Sequence, residues 1–327
     1  MLEFVLIALV KSVVVLVALL LMVAYLTLME RVVIARIQVR LGPNRVGPFG
    51  LLQPIADGIK LLLKEDVVPA QADKYLYVLA PALAFGAAFA TFAVIPFGDT
   101  VVLWGHRIPL GIADVNVGLL YVFAVSSIGV YGIIFGAWAS NSKYPLLGGL
   151  RSAAQMLSYE LSLVFSVVGV LMLSGSLSLS DVVAGQSRLW YVCLQPVGFL
   201  AFLVASFAEV NRLPFDLPEA ENELVGGFHT EYSSMKFAMF FLGEYGSMIT
   251  TSAMITTLYL GGWHGPFLPP VVWFLIKVAA FLFFFVWVRG TLPRFRYDQL
   301  MKFGWKVLLP VSIANIFVTG LVLAWVG

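Results

Sequence analysis

Charge is the scarcest ingredient of this chain. Only 12% of its 327 residues are Asp, Glu, Lys or Arg, while 61% are hydrophobic. A soluble domain carries about twice that share of charge, so too little polar surface remains to hold a folded chain in water. The mean hydropathy of +0.95 is that of a polytopic membrane protein. The net charge of +2 supplies no basic field for nucleic acid. There is one cysteine, Cys193, in an apolar run. It excludes a disulfide framework, a cysteine-ligated zinc site and an iron–sulfur cluster held by this chain alone, and it reads as a small buried hydrophobe. The three histidines, His106, His229 and His264, lack the paired spacing of haem or metal ligands. No phosphate-binding glycine–lysine loop and no dinucleotide fingerprint occurs. Tandem repeats, low-complexity tracts and a soluble domain are also missing. The chain shows no redox centre of its own and cannot readily be a stand-alone oxidoreductase.

What is present is hydrocarbon-length runs. Eight segments are long and apolar enough to span a bilayer, at roughly 4–29, 75–97, 115–138, 153–175, 190–208, 235–260, 268–288 and 304–326. The first is too long for a signal-peptide core and no small-residue cleavage site follows it, so it reads as a membrane helix. Period-2 alternation is absent, which argues against a barrel. Backbone groups in lipid must pair internally, and a helical bundle follows. The fold expected is an all-α polytopic integral membrane protein in one domain, 1–327.

Sixteen of the 20 basic residues lie on alternate connections. Only Arg107 and Arg188 lie on the opposite ones, and Lys11 and Lys277 fall inside spans. The positive-inside rule makes the sixteen-residue face cytoplasmic, with both termini outward. On that face, after "RLGPNRVGPFG", residues 51–64 carry Leu52, Ile55, Ile59, Leu62 and Leu63 at helical spacing, with Gln53, Asp57, Lys60 and Lys64 opposite. This predicts an amphipathic helix on the membrane surface, with an ordinary connecting helix as the alternative.

Ionisable residues inside a membrane are costly and usually functional. Glu160 and Glu244 lie inside spans and Glu209 at the inner end of one. Lys11 is placed to snorkel to the outer interface; Lys277, nearer mid-span, reads equally as functional or structural. The stretch "AEVNRLPFDLPEAENELVGGFHTEY" (208–232) then holds Glu209, Asp216, Glu219, Glu221, Glu223 and Glu231, a third of the chain's carboxylates. Pro214, Pro218 and Gly226–Gly227 predict a folded-back segment over about 209–234. Arg212 and His229 are available as internal partners. Crowded, partly buried carboxylates titrate as a coupled set able to hold and pass protons. A solvated acidic loop is the alternative; calcium binding is disfavoured by the spacing.

Four motifs carry a resemblance: "MERVVIARIQVRLGPNRVGPFGLLQPIADGIKLLLKED" (29–66), "NSKYPLLGGLRSAAQMLSYEL" (141–161), "AEVNRLPFDLPEAENELVGGFHTEYSSMKFAMFFLGEY" (208–245) and "LPRFRYDQLMKFGWKVLLP" (292–310). In this order they resemble the H subunits of NADH-quinone oxidoreductase, respiratory complex I, which are the counterparts of mitochondrial NADH dehydrogenase subunit 1. The resemblance implies a component of a proton-translocating NADH:quinone oxidoreductase in a bacterial cytoplasmic membrane. It implies quinone as substrate, with flavin and iron–sulfur clusters in partner subunits of the peripheral arm and further partners in the membrane arm. It implies a proton path through Asp57, Glu160, Glu209, Asp216, Glu219, Glu221, Glu223, Glu231 and Glu244. Arg31 and Arg40 match positions near a quinone entrance, and Phe215 and Phe228 match chamber walls. The nearest rival is the homologous membrane anchor of a proton-pumping hydrogenase or of an F420- or ferredoxin-linked complex. A lone proton-coupled transporter would be expected to show inverted repeats, which are not seen. A purely structural anchor would tolerate neutral acids in the loop.

Overall fold

The computed structural model describes residues 2–103, 106–218 and 221–326. Its helices run α1 (Leu2–Ile37), α2 (Gln53–Leu63), α3 (Lys74–Ala90), α4 (Gly118–Ala139), α5 (Lys143–Ser174), α6 (Leu179–Gly185), α7 (Tyr191–Leu194), α8 (Pro196–Glu209), α9 (Glu221–Leu224), α10 (Ser234–Tyr259), α11 (Pro270–Thr291), α12 (Tyr297–Phe303) and α13 (Leu309–Val326). The exception to an all-helical chain is a hairpin in the connection after α3. There β1 (Thr100–Leu103) pairs antiparallel with β2 (His106–Pro109), with Thr100 opposite Pro109. No sequence pattern announces an element in that connection.

Among the described residues, six helical stretches are long and apolar enough to cross a bilayer. The other two expected spans depart from the simple pattern for identifiable reasons. Residues 190–208 form two helices, because Pro196 has no N–H to continue α7 and instead opens α8. α8 alone has 14 residues, about 21 Å at 1.5 Å per residue, short of a hydrocarbon core of about 30 Å. α10 has 26 residues but is studded with Thr250, Thr251, Ser252, Thr256 and Thr257. It tolerates them because it is the central helix: Met248, Ile249, Ala253, Ile255, Leu258 and Tyr259 are all buried. Ser252, Thr256 and Thr257 bond carbonyls of α10 one turn back, Ser252 Oγ to Met248 O at 2.8 Å, while Thr250 Oγ1 donates across to Ala88 O of α3 at 3.2 Å.

The main core gathers α1, α5, α8, α10 and α11 around Tyr159, Phe202, Tyr259, Phe274 and Phe285. A smaller cluster of Tyr77, Phe228, Tyr232 and Phe240 joins α3, α4 and α10 beneath the 209–234 segment. α3 packs against both α4 and α10, and glycines set the spacing. A Cβ on Gly132 would stand 2.7 Å from Ala84 N, and one on Gly243 would stand 3.1 Å from Ala84 O. Small residues let membrane helices approach backbone to backbone.

Three single residues differ from expectation or resolve it. Cys193 is exposed rather than buried, on the short helix α7. Lys11 donates to Pro109 O at 2.8 Å, so it anchors the hairpin's exit instead of reaching into an interface alone. Lys277 is buried and donates to Leu260 O, Gly262 O and His264 O at 2.7, 2.9 and 2.7 Å. Gly261 and Gly262, at φ 69° and 52°, make the turn that aims those carbonyls at it. With Trp190 4.5 Å below the ammonium, all three protons are used in clamping the end of α10.

Gly132→Leu is expected to force α4 off α3 and to cost about 1–3 kcal/mol by overpacking. Gly86→Ala, on the same helix pair but facing open space, is expected to be neutral. Thermal unfolding of the detergent-solubilised protein compares them; equal midpoints would show that the glycine contact is not tight.

Candidate functional site

The segment after α8 is folded, not tethered. Asn211 takes a positive φ of 55°, the Leu213–Pro214 peptide is cis, and Val225 and Gly227 reverse the chain again at φ 67° and 62°. Gln155 of α5 holds the first turn: its Nε2 lies 2.9 Å from Ala208 O, 2.7 Å from Phe215 O and 3.1 Å from Asn211 Oδ1. Phe295 N donates to Pro214 O at 3.1 Å, tying the segment to the α11–α12 link. Its far end is tied to the last turn of α2 and the strip following it. Ser233 Oγ donates to Glu65 O at 3.1 Å, Ser234 Oγ to Leu61 O at 3.0 Å, and Lys236 pairs with Asp66 at 2.7 Å. Tyr77 Oη donates to Glu231 O at 2.7 Å.

At the centre lies Arg212, only 4% exposed. Its Nη1 donates to both oxygens of Glu30 of α1, at 3.1 and 3.2 Å. Its Nε stands 2.6 Å from Glu244 Oε1 of α10, and its guanidinium lies 4.4 Å from the Tyr245 ring centroid. Arg289 of α11 also pairs with Glu30. Beside them Arg294 Nη2 donates to Asp216 Oδ2 at 2.9 Å. Three arginines and three carboxylates therefore balance in one patch shared by α1, α10, α11, the α11–α12 link and the segment, with Arg212, Glu30 and Asp216 buried and Arg289 and Arg294 half-buried. A guanidinium suits the centre, because its planar fork serves several acceptors at once and it stays charged when buried. Burial pushes the Asp216 carboxyl above its ordinary range, against the opposing pull of Arg294, Arg289 and Arg212.

A cavity of about 90 Å³ opens on the other side of this patch, between α3, α4, α8 and α10. Glu209 and Glu244 both line it, with Ser126, Ser247 and Thr250. That volume is several times the space one water needs, so the two carboxylates share a compartment that can be wetted. Glu160 of α5 sits nearby and accepts from Ser127 Oγ of α4.

The expected acidic set is thus divided. Glu209, Asp216 and Glu244 come together around Arg212. Glu160 stands one helix away. Glu223 is 60% exposed and pairs with Arg151 at 2.6 Å on the surface. Glu231 is partly buried at the far end. Glu219 and the side chain of Glu221 lie outside the described residues. Asp57 of α2 is outside that group, joined to Arg31 of α1 at 2.6 Å; Arg40 is exposed and bonds Gln38. Phe215 and Phe228 are both buried but line separate cavities, Phe215 an apolar one beside α11 and Phe228 the polar one. Arg212 is an internal partner as expected. His229 is not: its Nδ1 is buried without a partner among the described residues, and its ring packs on Phe228, Phe237 and Phe241.

Sequence reasoning passed over Glu30, Arg289 and Arg294. Glu30 was the findable one. It is the lone carboxylate at the inner end of a 26-residue apolar run (4–29), where an acid needs a partner. The two arginines served only as orientation signals. Among the described residues, no group of three or more His, Cys, Asp or Glu is placed to hold a metal ion.

Burial pushes the His229 imidazole from 6.5 down to about 4. The folded protein holds it neutral while the unfolded chain protonates it, so its contribution is complete above about 6.5 and is lost as pH falls toward 4. His229→Gln is expected to flatten the pH dependence of the thermal midpoint across that window. An unchanged slope would assign it to other groups.

The family model described as NADH dehydrogenase matches residues 10–320. One of the NADH-quinone oxidoreductase H subunits of Geobacter sulfurreducens, its second, is 61% identical over 303 residues, covering 93% of this chain and 92% of its own. The second such H protein of Syntrophobacter fumaroxidans is 57% identical over 317 residues, 97% of this chain and 96% of its own. The counterpart in Thermomicrobium roseum is 58% identical over 312 residues, 92% of each. With family match and identity extending over nearly its whole length, the chain belongs to the NADH dehydrogenase family, in the company of the NADH-quinone oxidoreductase H subunits.

Proposed function

We propose that this chain is the membrane component of a proton-translocating NADH:quinone oxidoreductase that admits quinone from the bilayer and couples its reduction to proton movement. The observation that carries this reading is the balanced patch of Glu30, Arg212, Arg289, Glu244, Asp216 and Arg294, bordering a wettable cavity. A charge change near one end of such a patch is felt at once by carboxylates at the other, because low dielectric leaves the interaction unscreened. The names of the relatives support the quinone enzyme over a hydrogenase-type anchor.

On this reading the chain spans a bacterial cytoplasmic membrane eight times, with α7 and α8 together making one span and both termini outside. α2 lies on the cytoplasmic surface with Ile55, Ile59 and Leu62 toward lipid; all three are exposed in the isolated chain. α1 and α2, bridged by Arg31 and Asp57, frame the quinone entrance, with Arg40 at its rim. Phe215 and Phe228 wall the inner end of the path. Electrons arrive from flavin and iron–sulfur clusters in partner subunits. Reducing a quinone to a quinol consumes two electrons and two protons. Asp216 lies where that demand arises, and burial raises its proton affinity above that of an ordinary carboxylate. Glu209, Glu244 and Glu160 then carry the change inward through the cavity toward neighbouring membrane subunits. Asp57, Glu219, Glu221, Glu223 and Glu231 extend the acidic field on the cytoplasmic side.

In assembled complex, Glu209→Gln and Asp216→Asn are each expected to lower quinone reduction and proton pumping together, several-fold, measured in proteoliposomes. Full pumping with assembly intact would sink the coupling role. Arg31→Gln is expected to raise KM for quinone more than it lowers kcat; an unchanged KM would remove Arg31 from the entrance.

A further inference from the structure

A second cavity, of about 490 Å³, lies between α8, α11 and α12. Its walls include Leu203, Phe207, Phe284, Val288, Phe295 and Phe303, and Gln299 is its one polar side chain. No residue of α1 or α2 lines it, and it shares none with the Glu209–Glu244 cavity. It is therefore not the proposed entrance and not the proton compartment; Phe215, which also walls it, is the one residue it shares with the proposed quinone path. Its walls run from Leu203 and Phe284, inside apolar helices, to Pro214 and Gln299 at the basic end of the bundle.

That end carries uncommitted positive charge. Arg289 and Arg294 are engaged with Glu30 and Asp216. Arg296 is not: its side chain is 82% exposed and only loosely near Asp298, at 3.8 Å. Lys302 and Lys306 are exposed and have no ion-pair partner among the described residues. These cations interleave with the lining. Arg296 follows Phe295, Lys302 stands three residues after Gln299, and Lys306 three after Phe303. Gln299 and Lys302, three residues apart on α12, share a side of that helix. An apolar recess thus continues outward into a basic rim.

We propose that the recess holds an acyl chain of an anionic phospholipid from the cytoplasmic leaflet, with its phosphate on Arg296 and Lys302. The volume lies in the range of small-molecule sites. A helix about 10 Å across would exhaust 490 Å³ in about 6 Å, roughly one turn, so a partner helix does not fit inside. A quinone ring needs directional partners for its two carbonyls, and the lining offers a single amide. Phosphate is the natural counterpart of guanidinium and ammonium groups at a membrane surface. The bound chain also has a mechanical consequence. Phe295 stacks on Phe215 with centroids 5.6 Å apart, and Arg294 grips Asp216. Filling the recess buttresses the segment that carries Arg212. The site itself stands whether or not the quinone reading does.

The test uses the whole complex, washed in detergent with an equimolar mixture of phosphatidylglycerol and phosphatidylcholine, with bound lipid counted by native mass spectrometry. The wild type is expected to retain one phosphatidylglycerol more than Val288→Trp, which fills the recess. Arg296→Gln with Lys302→Gln is expected to weaken retention about tenfold or more, as two surface cations at about 1 kcal/mol each imply. Arg296→Lys with Lys302→Arg is expected to restore it. The paired glutamine variant changes only exposed side chains, so it remains informative if Val288→Trp fails to assemble. Equal retention by wild type and the glutamine variant would overturn the proposal. So would equal retention of phosphatidylcholine, or a quinone or a neighbouring protein's side chains found in the recess.

Discussion

One buried guanidinium organises this bundle. Arg212 sits between Glu30 of α1 and Glu244 of α10, two carboxylates more than two hundred residues apart in sequence. Taking those charges out of water costs several kcal/mol per ion, recovered only if each finds its partner. The bundle therefore has to bring α1, α10 and the segment after α8 to one point, and Arg289 adds α11 through Glu30. Breaking such a patch by removing one member costs about 3–5 kcal/mol, because the remaining charge stays buried and alone. Few ordinary apolar contacts in a lipid-embedded bundle impose a comparable penalty, since lipid tails are as apolar as leucine.

The segment that carries Arg212 is shaped to keep it there. Gln155 ties its first turn from α5, and Phe295 ties the next from the α11–α12 link. Ser233, Ser234 and Lys236 tie its far end to the last turn of α2 and the strip after it. α2 and the ion patch are consequently joined through backbone and short polar contacts, not through a floppy linker. A displacement at α2 has a structural route to the carboxylates.

The two cavities divide the chemistry around the patch. The smaller one puts Glu209 and Glu244 into a shared polar space between glycine-spaced helices. The larger is almost wholly apolar and faces the other side of the segment, with the Phe215–Phe295 stack as its wall. The segment thus meets water-sized space on one side and hydrocarbon-like space on the other.

Much of this was legible before any fold was known. Composition, run length and the placement of basic residues pointed to a helical membrane bundle and an orientation, because those signals are local and additive. Pro214, Pro218, Gly226 and Gly227 announced a folded-back segment, since they act on their own backbone. Four motifs pointed to the family. What the sequence could not determine was which charges meet. Glu223 and Asp216 look alike in "FDLPEAENEL", yet one pairs on the surface with Arg151 and the other is buried against Arg294. Glu30 looked like the end of a span, and Arg289 and Arg294 looked like topology markers. The break at Pro196 and the polarity of α10 likewise depend on what surrounds each helix. Pairing between residues two hundred positions apart is decided by packing, and desolvation gives it its energy; both exist only in the tertiary structure.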